Sequence, residues 1–304
     1  EMSASLVGSE MCIRDSGNIF MGMTESPVLI KNYLPTMNRS EIFLVMVSGM
    51  GTIAGSVMGT YIGMLGGTDP AAKVLFATHL LSASVMAVPG SIVLAKMLCP
   101  QTEEATDHVA ISGKEKENSN ILDAISSGTV TGVKLMTNIA AMLLVFISLV
   151  ALANYITEGV IGRYTGLNDW IVKITDGKAQ GLTFQFILGV ITSPFMWLIG
   201  VPSQDIMLVG SLLGQKTILN EFVAYFQLQQ WKDAGLFMYE KSILMSTYIL
   251  CGFANISSIG ILLGGLGVLA PEKRGLISRI GVPAMIGGAL VSVLSATIIG
   301  MILG

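Results

Sequence analysis

The chain has 304 residues, of which 52% are hydrophobic and 12% are charged, and its formal net charge is −3. Soluble globular proteins carry about 25% charged residues, so the composition excludes an ordinary soluble domain and indicates a polytopic membrane protein. The sequence has no basic patch that would indicate a nucleic-acid partner, and its three cysteines are widely separated, which indicates neither a metal cluster nor a disulfide framework.

The first sixteen residues are interpreted as non-native. Residues 6–16 read LVGSEMCIRDS, which resembles the translation of a transposase-type sequencing adapter. A signal peptide would need a basic start and an apolar core, and this segment has neither. We therefore expect Gly17 to lie close to the first native residue, and the protein to be truncated at its N-terminus.

Residues 17–33, GNIFMGMTESPVLIKNY, place Glu25 among apolar residues. The pattern predicts a helix or half-helix that begins near this glutamate, with Thr24 as the N-cap and Pro27 in the first turn, where its missing N–H costs little. A carboxylate is expensive in hydrocarbon, so such residues usually face a cavity. The stretch therefore predicts one wall of a substrate or ion path.

The span over residues 41–65 is predicted to be broken at its centre. It is long enough to cross a bilayer, which takes about 20 apolar residues, but residues 48–56 read SGMGTIAGS. Such a run favours local unwinding, which is tolerated at membrane depth only where the backbone lines a cavity or meets other protein.

The middle of the chain is less informative. Residues 71–98 predict a span with a kink at Pro89, and His79 within it is interpreted as a packed or interfacial histidine, with a proton relay as the alternative. Residues 99–127 are polar with mixed charges and predict a solvated loop. A long helix over 123–155 and a short polar connection over 157–181 are expected to follow.

The second half repeats the order of the first. Residues 182–200 are interrupted at Pro194 and predict a re-entrant, interfacial or spanning helix. Residues 201–219 predict a half-helix that ends at a turn carrying Glu221. A second broken span, with CGFANISSIG at 251–260, and a final span over 276–304 complete the chain.

The repetition predicts a duplicated architecture. Matching Gly49 to Gly252 places Thr52 against Asn255, so a polar oxygen falls in both interruptions. Paired broken hydrophobic segments point to the binding site of a secondary transporter. The predicted organisation is a non-native segment 1–16, a first repeat 17–98, a connecting part 99–181 and a second repeat 182–304.

Four motifs carry a resemblance to a known family: GNIFMGMTESP, GTIAGSV, GSLLGQKTILNEFVAY and STYILCGFANISSIGI. In this order and spacing, the chain from Gly17 onward resembles the concentrative nucleoside transporters. The resemblance implies an all-α polytopic membrane protein with an inverted repeat of re-entrant hairpin, broken helix and full helix. It further implies a homotrimer in the bacterial inner membrane that imports nucleosides by cation symport, with no enzymatic activity and no cofactor.

The resemblance also implies roles for particular residues. Those expected to contact the nucleoside are Met23, Thr24 and Glu25 at the base, Glu221, Asn255 and Ser258 at the ribose, and Phe253 beside the substrate. The cation site is expected at the side chains of Asn18 and Thr52, with backbone carbonyls near Met21 and Ile53.

These roles are chemically reasonable. Ribose offers paired hydroxyl donors, and an ionised carboxylate accepts both through charge-assisted hydrogen bonds. A sodium ion takes oxygen ligands, which unwound backbone supplies. One departure concerns Met23, where the family usually has glutamine. A thioether cannot donate the amide hydrogen bonds, so the preference among bases stays open.

Three alternatives remain at this stage. Two buried carboxylates would also serve proton coupling, or a transporter of another small polar solute. An intramembrane enzyme is disfavoured, because the spans carry no paired aspartates and the sequence contains no HExxH motif. A purely structural scaffold would leave Glu25 and Glu221 without a role.

Overall fold

Helices form the regular elements of this computed structural model, which describes residues 17–31, 33–102, 151–175, 177 and 179–304, with scattered positions between 120 and 149. The adapter-like segment, most of the predicted loop at 99–127 and most of the predicted helix at 123–155 lie outside the described residues. The described residues fall into two compact units, one formed by residues before 110 and after 186 and the other by 110–186. The all-α prediction is confirmed.

The first hairpin segment is not one continuous helix. Its regular part is a short 3-10 helix, Ser26–Ile30, with Pro27 in the first turn as expected. Glu25 occupies the N-cap position and makes no side-chain capping bond, so the prediction of Thr24 as the N-cap is wrong. The backbone N–H groups of Glu25 and Ser26 donate to the carbonyl of Gly22, so Thr24 lies inside a turn that precedes the helix.

The first broken span is present as predicted. Helix α1, Arg39–Gly51, begins at a capping box in which Asn38 Oδ1 accepts from the backbone N–H of Glu41 at 3.0 Å and Glu41 accepts in return. Thr52 is extended, with φ −118° and ψ 168°, and helix α2, Gly55–Gly66, starts after Ala54. Helix α3, Pro70–Leu98, follows, with Asp69 as its N-cap and Pro89 inside it.

The unit at 110–186 differs from its prediction. The expected polar connection at 157–181 is largely helical, with a π-helical stretch Tyr155–Gly162, a short turn Arg163–Thr165 and helix α4, Leu167–Ile174. Asn168 ties this unit together by donating to the carbonyl of Glu158 and accepting from the N–H of Leu182. The charged residues led us to expect a break in the helical hydrogen bonding, but they do not interrupt it.

The second hairpin and second broken span follow in the predicted order. Helix α5, Phe184–Leu198, contains Pro194. Helices α6, Ile206–Ile218, and α7, Glu221–Asp233, form the two arms of the hairpin. Helices α8, Glu240–Leu250, and α9, Ile256–Leu269, are the halves of the broken span, and α10, Arg274–Ile302, is the last helix.

Three helical stretches of the described chain are long and apolar enough to cross a bilayer: Arg39–Gly66, Pro70–Leu98 and Pro271–Ile302. The first of them contains the unwound residues between α1 and α2, so it consists of two half-helices. His79 of α3 lies within hydrogen-bonding distance of the Tyr248 hydroxyl, 3.1 Å away, with the two rings edge to face. This contact is the kind expected of a packed or interfacial histidine.

The two breaks meet at the centre of their unit. Gly252 has φ +140°, and a Cβ on it would lie 2.8 Å from the carbonyl oxygen of Met50. Gly288 of α10 approaches from the other side, where a Cβ would lie 2.7 Å from the Cβ of Met50. Only glycine adopts this backbone conformation without strain, so Gly252 lets the second break cross the end of α1.

The predicted register between the breaks needs correction. Thr52 ends α1, whereas Asn255 begins α9, so the two do not occupy the same point. The unwound segment has three residues in the first break, 52–54, and five in the second, 251–255. Matched by the ends of the preceding half-helices, Thr52 corresponds to Cys251. The glycine spacing used to align the two breaks does not reveal that their unwound segments differ in length.

Candidate functional site

Glu221 lies at the tip of the second hairpin and is the first residue of α7. Asn220 forms the N-cap, and its side chain accepts from the backbone N–H of Val223 at 2.9 Å. Glu221 is buried, with 7% of its surface exposed. The N-terminal end of a helix carries partial positive charge, which offsets part of the cost of burying a carboxylate.

Two side chains hold the Glu221 carboxylate. Asn255 donates from Nδ2 to one oxygen at 2.8 Å, and the Tyr61 hydroxyl donates to the other at 3.3 Å. A carboxylate oxygen accepts two hydrogen bonds, so each retains acceptor capacity for a further donor. The hairpin tip is thereby joined to both broken helices.

Asn255 is the N-cap of α9 and organises the second break. Its Oδ1 accepts from the backbone N–H of Ser258 at 2.9 Å, from the Ser258 hydroxyl at 3.0 Å and from the Ser257 hydroxyl at 2.6 Å. The oxygen is therefore occupied within the protein, and the amide nitrogen is directed to Glu221. One side chain ends the unwound segment and orients the carboxylate.

Tyr61 was missed by the sequence reasoning. It is fully buried, and its ring stacks on that of Tyr225 with centroids 4.0 Å apart. The Tyr225 hydroxyl in turn donates to the carbonyl of Thr247 at 2.8 Å. A tyrosine in an apolar span needs a partner for its hydroxyl, and this requirement is the signal by which Tyr61 could have been found.

The first hairpin is placed differently from the second. Met23 is buried, 6% exposed, in an apolar cluster that includes Ala254 and Leu262, and Thr24 packs against Gly265 of α9. The prediction that Glu25 is buried is wrong, because its side chain is exposed beside Gly22. The 3-10 helix directs Ser26 and Pro27, not Glu25, into the interior.

Phe253 is half-buried and packs against both apolar cores of its unit. Among the described residues, hydrogen bonds join Glu221, Asn255 and Ser258, and Glu25 is not part of this network. The residues predicted at the ribose thus form a connected group between the second hairpin and the second break, and the residues predicted at the base do not join it.

The predicted cation residues cluster around the end of α1. Asn18 is fully buried, donates to the Ser48 hydroxyl at 3.1 Å and accepts from Ser26 at 2.6 Å. The Thr52 hydroxyl donates to the carbonyl of Ser48 at 3.1 Å. Asn18 and Thr52 therefore meet through one intervening residue, which sequence spacing did not indicate.

The backbone near this cluster is also in place. The N–H of Gly55 donates to the carbonyl of Phe20 at 2.9 Å, which pins the first hairpin segment to the unwound residues. Ile53 is fully buried and Met21 is half-buried. The side chains are uncharged oxygen and amide groups, which suit a hard monovalent cation. No group of three His, Cys, Asp or Glu side chains is found among the described residues.

A shallow cleft of about 360 Å³ in the unit at 110–186 contains none of the predicted site residues. It is open to its surroundings, which argues against a substrate site that excludes water. Its lining residues are Ala151, Asn154, Tyr155, Glu158, Gly159, Arg163 and Asn168.

Comparisons with known proteins identify relatives of this chain. The family profile described as "Na+ dependent nucleoside transporter C-terminus" matches residues 79–300. An uncharacterized transporter of Haemophilus influenzae is 39% identical over 292 residues, which are 95% of this chain and 65% of the relative. Sodium/nucleoside cotransporter 1 of Rattus norvegicus is 38% identical over 94% of this chain and 43% of the relative.

A solved structure has a fold similar to that of this chain. The structure of CNTnw in an inward-facing substrate-bound state has a TM-score of 0.80 and 34% sequence identity, and the match covers 97% of this chain and 65% of that one. The chain thus spans somewhat less than two thirds of the bacterial relative and of this structure.

Proposed function

Because this chain belongs to the concentrative, Na⁺-dependent nucleoside transporter family, we propose that the complete protein imports nucleosides by symport with sodium. The family is one of integral membrane transporters, so the intramembrane-enzyme alternative is excluded. The observation that carries the proposal is the buried Glu221 carboxylate, held by Asn255 and Tyr61 at the junction of the second hairpin with both broken helices.

The proposed substrate contacts follow from this geometry. The carboxylate would accept hydrogen bonds from the ribose hydroxyls with the lone pairs that Asn255 and Tyr61 leave available, and Ser258 would add a hydroxyl. The ribose hydroxyls would donate to a carboxylate that is buried away from water, and charge-assisted hydrogen bonds are strong. Met23, Thr24 and Glu25 are proposed at the base and Phe253 beside the substrate, supported by the packing of Thr24 against α9.

The proposed coupling site is the group around Asn18 and Thr52, with carbonyls near Met21 and Ile53. Its support is that Asn18 belongs to the first hairpin segment and Thr52 to the first break, so a bound cation would fix one against the other. Sodium is favoured by the family, and a proton is the alternative.

The assembly and location are proposed as a homotrimer in a bacterial inner membrane. The support is the bacterial relative and the row of exposed apolar side chains on α3 and α10, which fits lipid or a neighbouring subunit. They include Val74, Leu75, Val85, Val93, Val282, Ile286, Leu290 and Ile298. The repeat organisation 17–98 and 182–304 is proposed on the same order of elements.

Transport by the complete protein in proteoliposomes tests the function. Uptake of radiolabelled uridine, adenosine and inosine is measured with an inward sodium gradient at fixed pH, and then with an inward proton gradient in choline. We expect sodium-driven accumulation that an excess of ribonucleoside abolishes. Accumulation that follows only the proton gradient would overturn sodium coupling, and absence of nucleoside uptake in both conditions would overturn the substrate class.

A further inference from the structure

The proposed function assigns no role to Lys216, a buried lysine. Lys216 lies on α6, five residues before Glu221, and none of its surface is exposed. A charged side chain inside a membrane protein is expensive and marks function by default. Its sequence neighbourhood, GSLLGQKTILNEF, is otherwise poor in charge.

The Lys216 ammonium lies at the second break. It donates to the carbonyl oxygen of Ile249 at 2.8 Å and to the Ser292 hydroxyl at 3.1 Å, and Ser292 itself donates to the carbonyl of Cys251 at 2.7 Å. Ile249 and Cys251 flank Leu250, the last residue of α8. The C-terminal end of a helix carries partial negative charge, so the ammonium complements an end that membrane burial separates from water.

The acceptors around Lys216 are of the kind that bind sodium. The carbonyl and the hydroxyl are neutral oxygens, and they belong to the end of a half-helix and to the neighbouring α10. At the first break, the side chains around the end of α1 are Asn18, Ser26, Ser48 and Thr52, all uncharged. At the second break, the partial negative charge at the end of α8 is thus balanced by the Lys216 ammonium. At the first break, none of these side chains supplies a positive charge to the end of α1.

We propose that the Lys216 ammonium is a tethered cation that takes, at the second break, the place which the coupling sodium ion takes at the first. This inference rests on the proposed sodium site at Asn18 and Thr52. The lysine joins α6 to α8 and α10 through its own side chain, whereas the first break would depend on a bound sodium ion for the same positive charge. A neutral side chain at 216 should therefore open a second place for sodium.

Two variants of the complete protein separate charge from hydrogen bonding. Lys216→Gln keeps a donor for the carbonyl of Ile249 and removes the charge, and Lys216→Ala also leaves room for an ion. Lys232→Gln is the matched control, because Lys232 caps the end of α2 through the carbonyl of Leu65 and lies away from both breaks. Uridine binding is titrated with sodium chloride at constant ionic strength, and thermal stability is measured in sodium and in choline without nucleoside.

We expect the sodium concentration for half-maximal uridine binding to rise about tenfold or more in both Lys216 variants, by the loss of a charge-assisted contact. The sodium titration should become steeper in Lys216→Ala, and sodium should stabilise that variant against heating more than it stabilises wild type. Lys232→Gln should titrate as wild type does.

The contrary results are distinct. A Lys216→Gln protein with the sodium titration and sodium stabilisation of wild type would show that only the hydrogen bond matters, and would overturn the inference. A Lys216→Ala protein that is destabilised equally in sodium and choline would also overturn it. If neither uridine binding nor thermal stability of wild type depends on sodium, the proposed sodium coupling is overturned independently of Lys216.

Discussion

Glu221 is the residue on which substrate recognition is proposed to depend. Glu221→Gln keeps the shape and removes the charge, and we expect nucleoside affinity to fall about tenfold to a hundredfold, because one charge-assisted contact contributes about 1.5–3 kcal/mol. A 2′,3′-dideoxynucleoside should bind wild type poorly and lose little more in the variant. Competition binding measures both.

The control for this substitution is Glu240→Gln. Glu240 also opens a helix, α8, but its side chain is exposed. Glu240→Gln should leave the affinities for the ribonucleoside and the dideoxynucleoside unchanged. If Glu221→Gln reduced the affinities for ribo- and dideoxynucleosides equally, the carboxylate would not contact the ribose hydroxyls.

Tyr61 is expected to act through Glu221. Tyr61→Phe preserves the stack on Tyr225 and removes the hydroxyl that donates to the carboxylate. A single hydrogen bond contributes about 0.5–1.5 kcal/mol net, so we expect a several-fold loss of affinity that is absent in a Glu221→Gln background. The exposed Tyr164→Phe is the control. Additive losses in the double variant would show that Tyr61 acts independently.

Met23 tests the base contact and its packing together. Met23→Gln places an amide where the family has one, so we expect sharper selectivity among uridine, cytidine, adenosine and inosine, with the ribose requirement unchanged. Because Met23 packs in an apolar cluster, thermal stability should also fall. Met23→Leu should change neither selectivity nor stability strongly, since its volume is similar. An unchanged rank order in Met23→Gln would place the side chain away from the base.

At the scale of elements, the crossing of the two breaks is the feature most sensitive to one added methyl group. Gly252→Ala should destabilise the protein and abolish uptake, because alanine at φ +140° is strained by about 1–3 kcal/mol and its Cβ would contact the carbonyl of Met50. Thermal unfolding and uptake measure both effects.

Gly260→Ala provides the comparison within the same broken span. Gly260 lies inside α9 with nothing within 4 Å of an added Cβ. Alanine there should be neutral or stabilise the helix by about 0.5–1 kcal/mol. If Gly252→Ala behaves like Gly260→Ala, the close approach of the breaks is not required in the transporting protein.

At the scale of the whole molecule, the two proposed sites should be coupled. Asn18→Ala or Thr52→Ala should raise the sodium concentration needed for half-maximal uptake. Since coupling between two ligands is reciprocal, nucleoside affinity should fall at low sodium and recover partly at high sodium. Thr78→Ala removes a hydroxyl that donates to the carbonyl of Val74 within the same helix and should have no effect. Uptake that depends on pH but not on sodium in all variants would make the Asn18 group structural.

Local sequence pattern was sufficient for the order of the elements in the unit formed by residues before 110 and after 186. Runs of apolar residues identify spans because the bilayer requires about 20 of them, and clusters such as SGMGTIAGS identify breaks because helix propensity is lowest there. The prediction of α1, α2, α8 and α9 rests on these local preferences. The helical stretch at 155–174 was missed because a few charges were taken to mean a loop.

The sequence by itself determined the fold class, the two broken spans, the family resemblance and the candidate residues Glu221, Asn255 and Asn18. Only the tertiary structure decided which residues meet. Tyr61 reaches Glu221 across 160 positions and Lys216 reaches Ser292 across 76. It also decided that Glu25 is exposed and that Thr52 and Asn255 occupy opposite ends of their breaks. Pairings of this kind depend on the path of the whole backbone and on the need of each buried polar group for a partner, and neither is encoded in a local pattern.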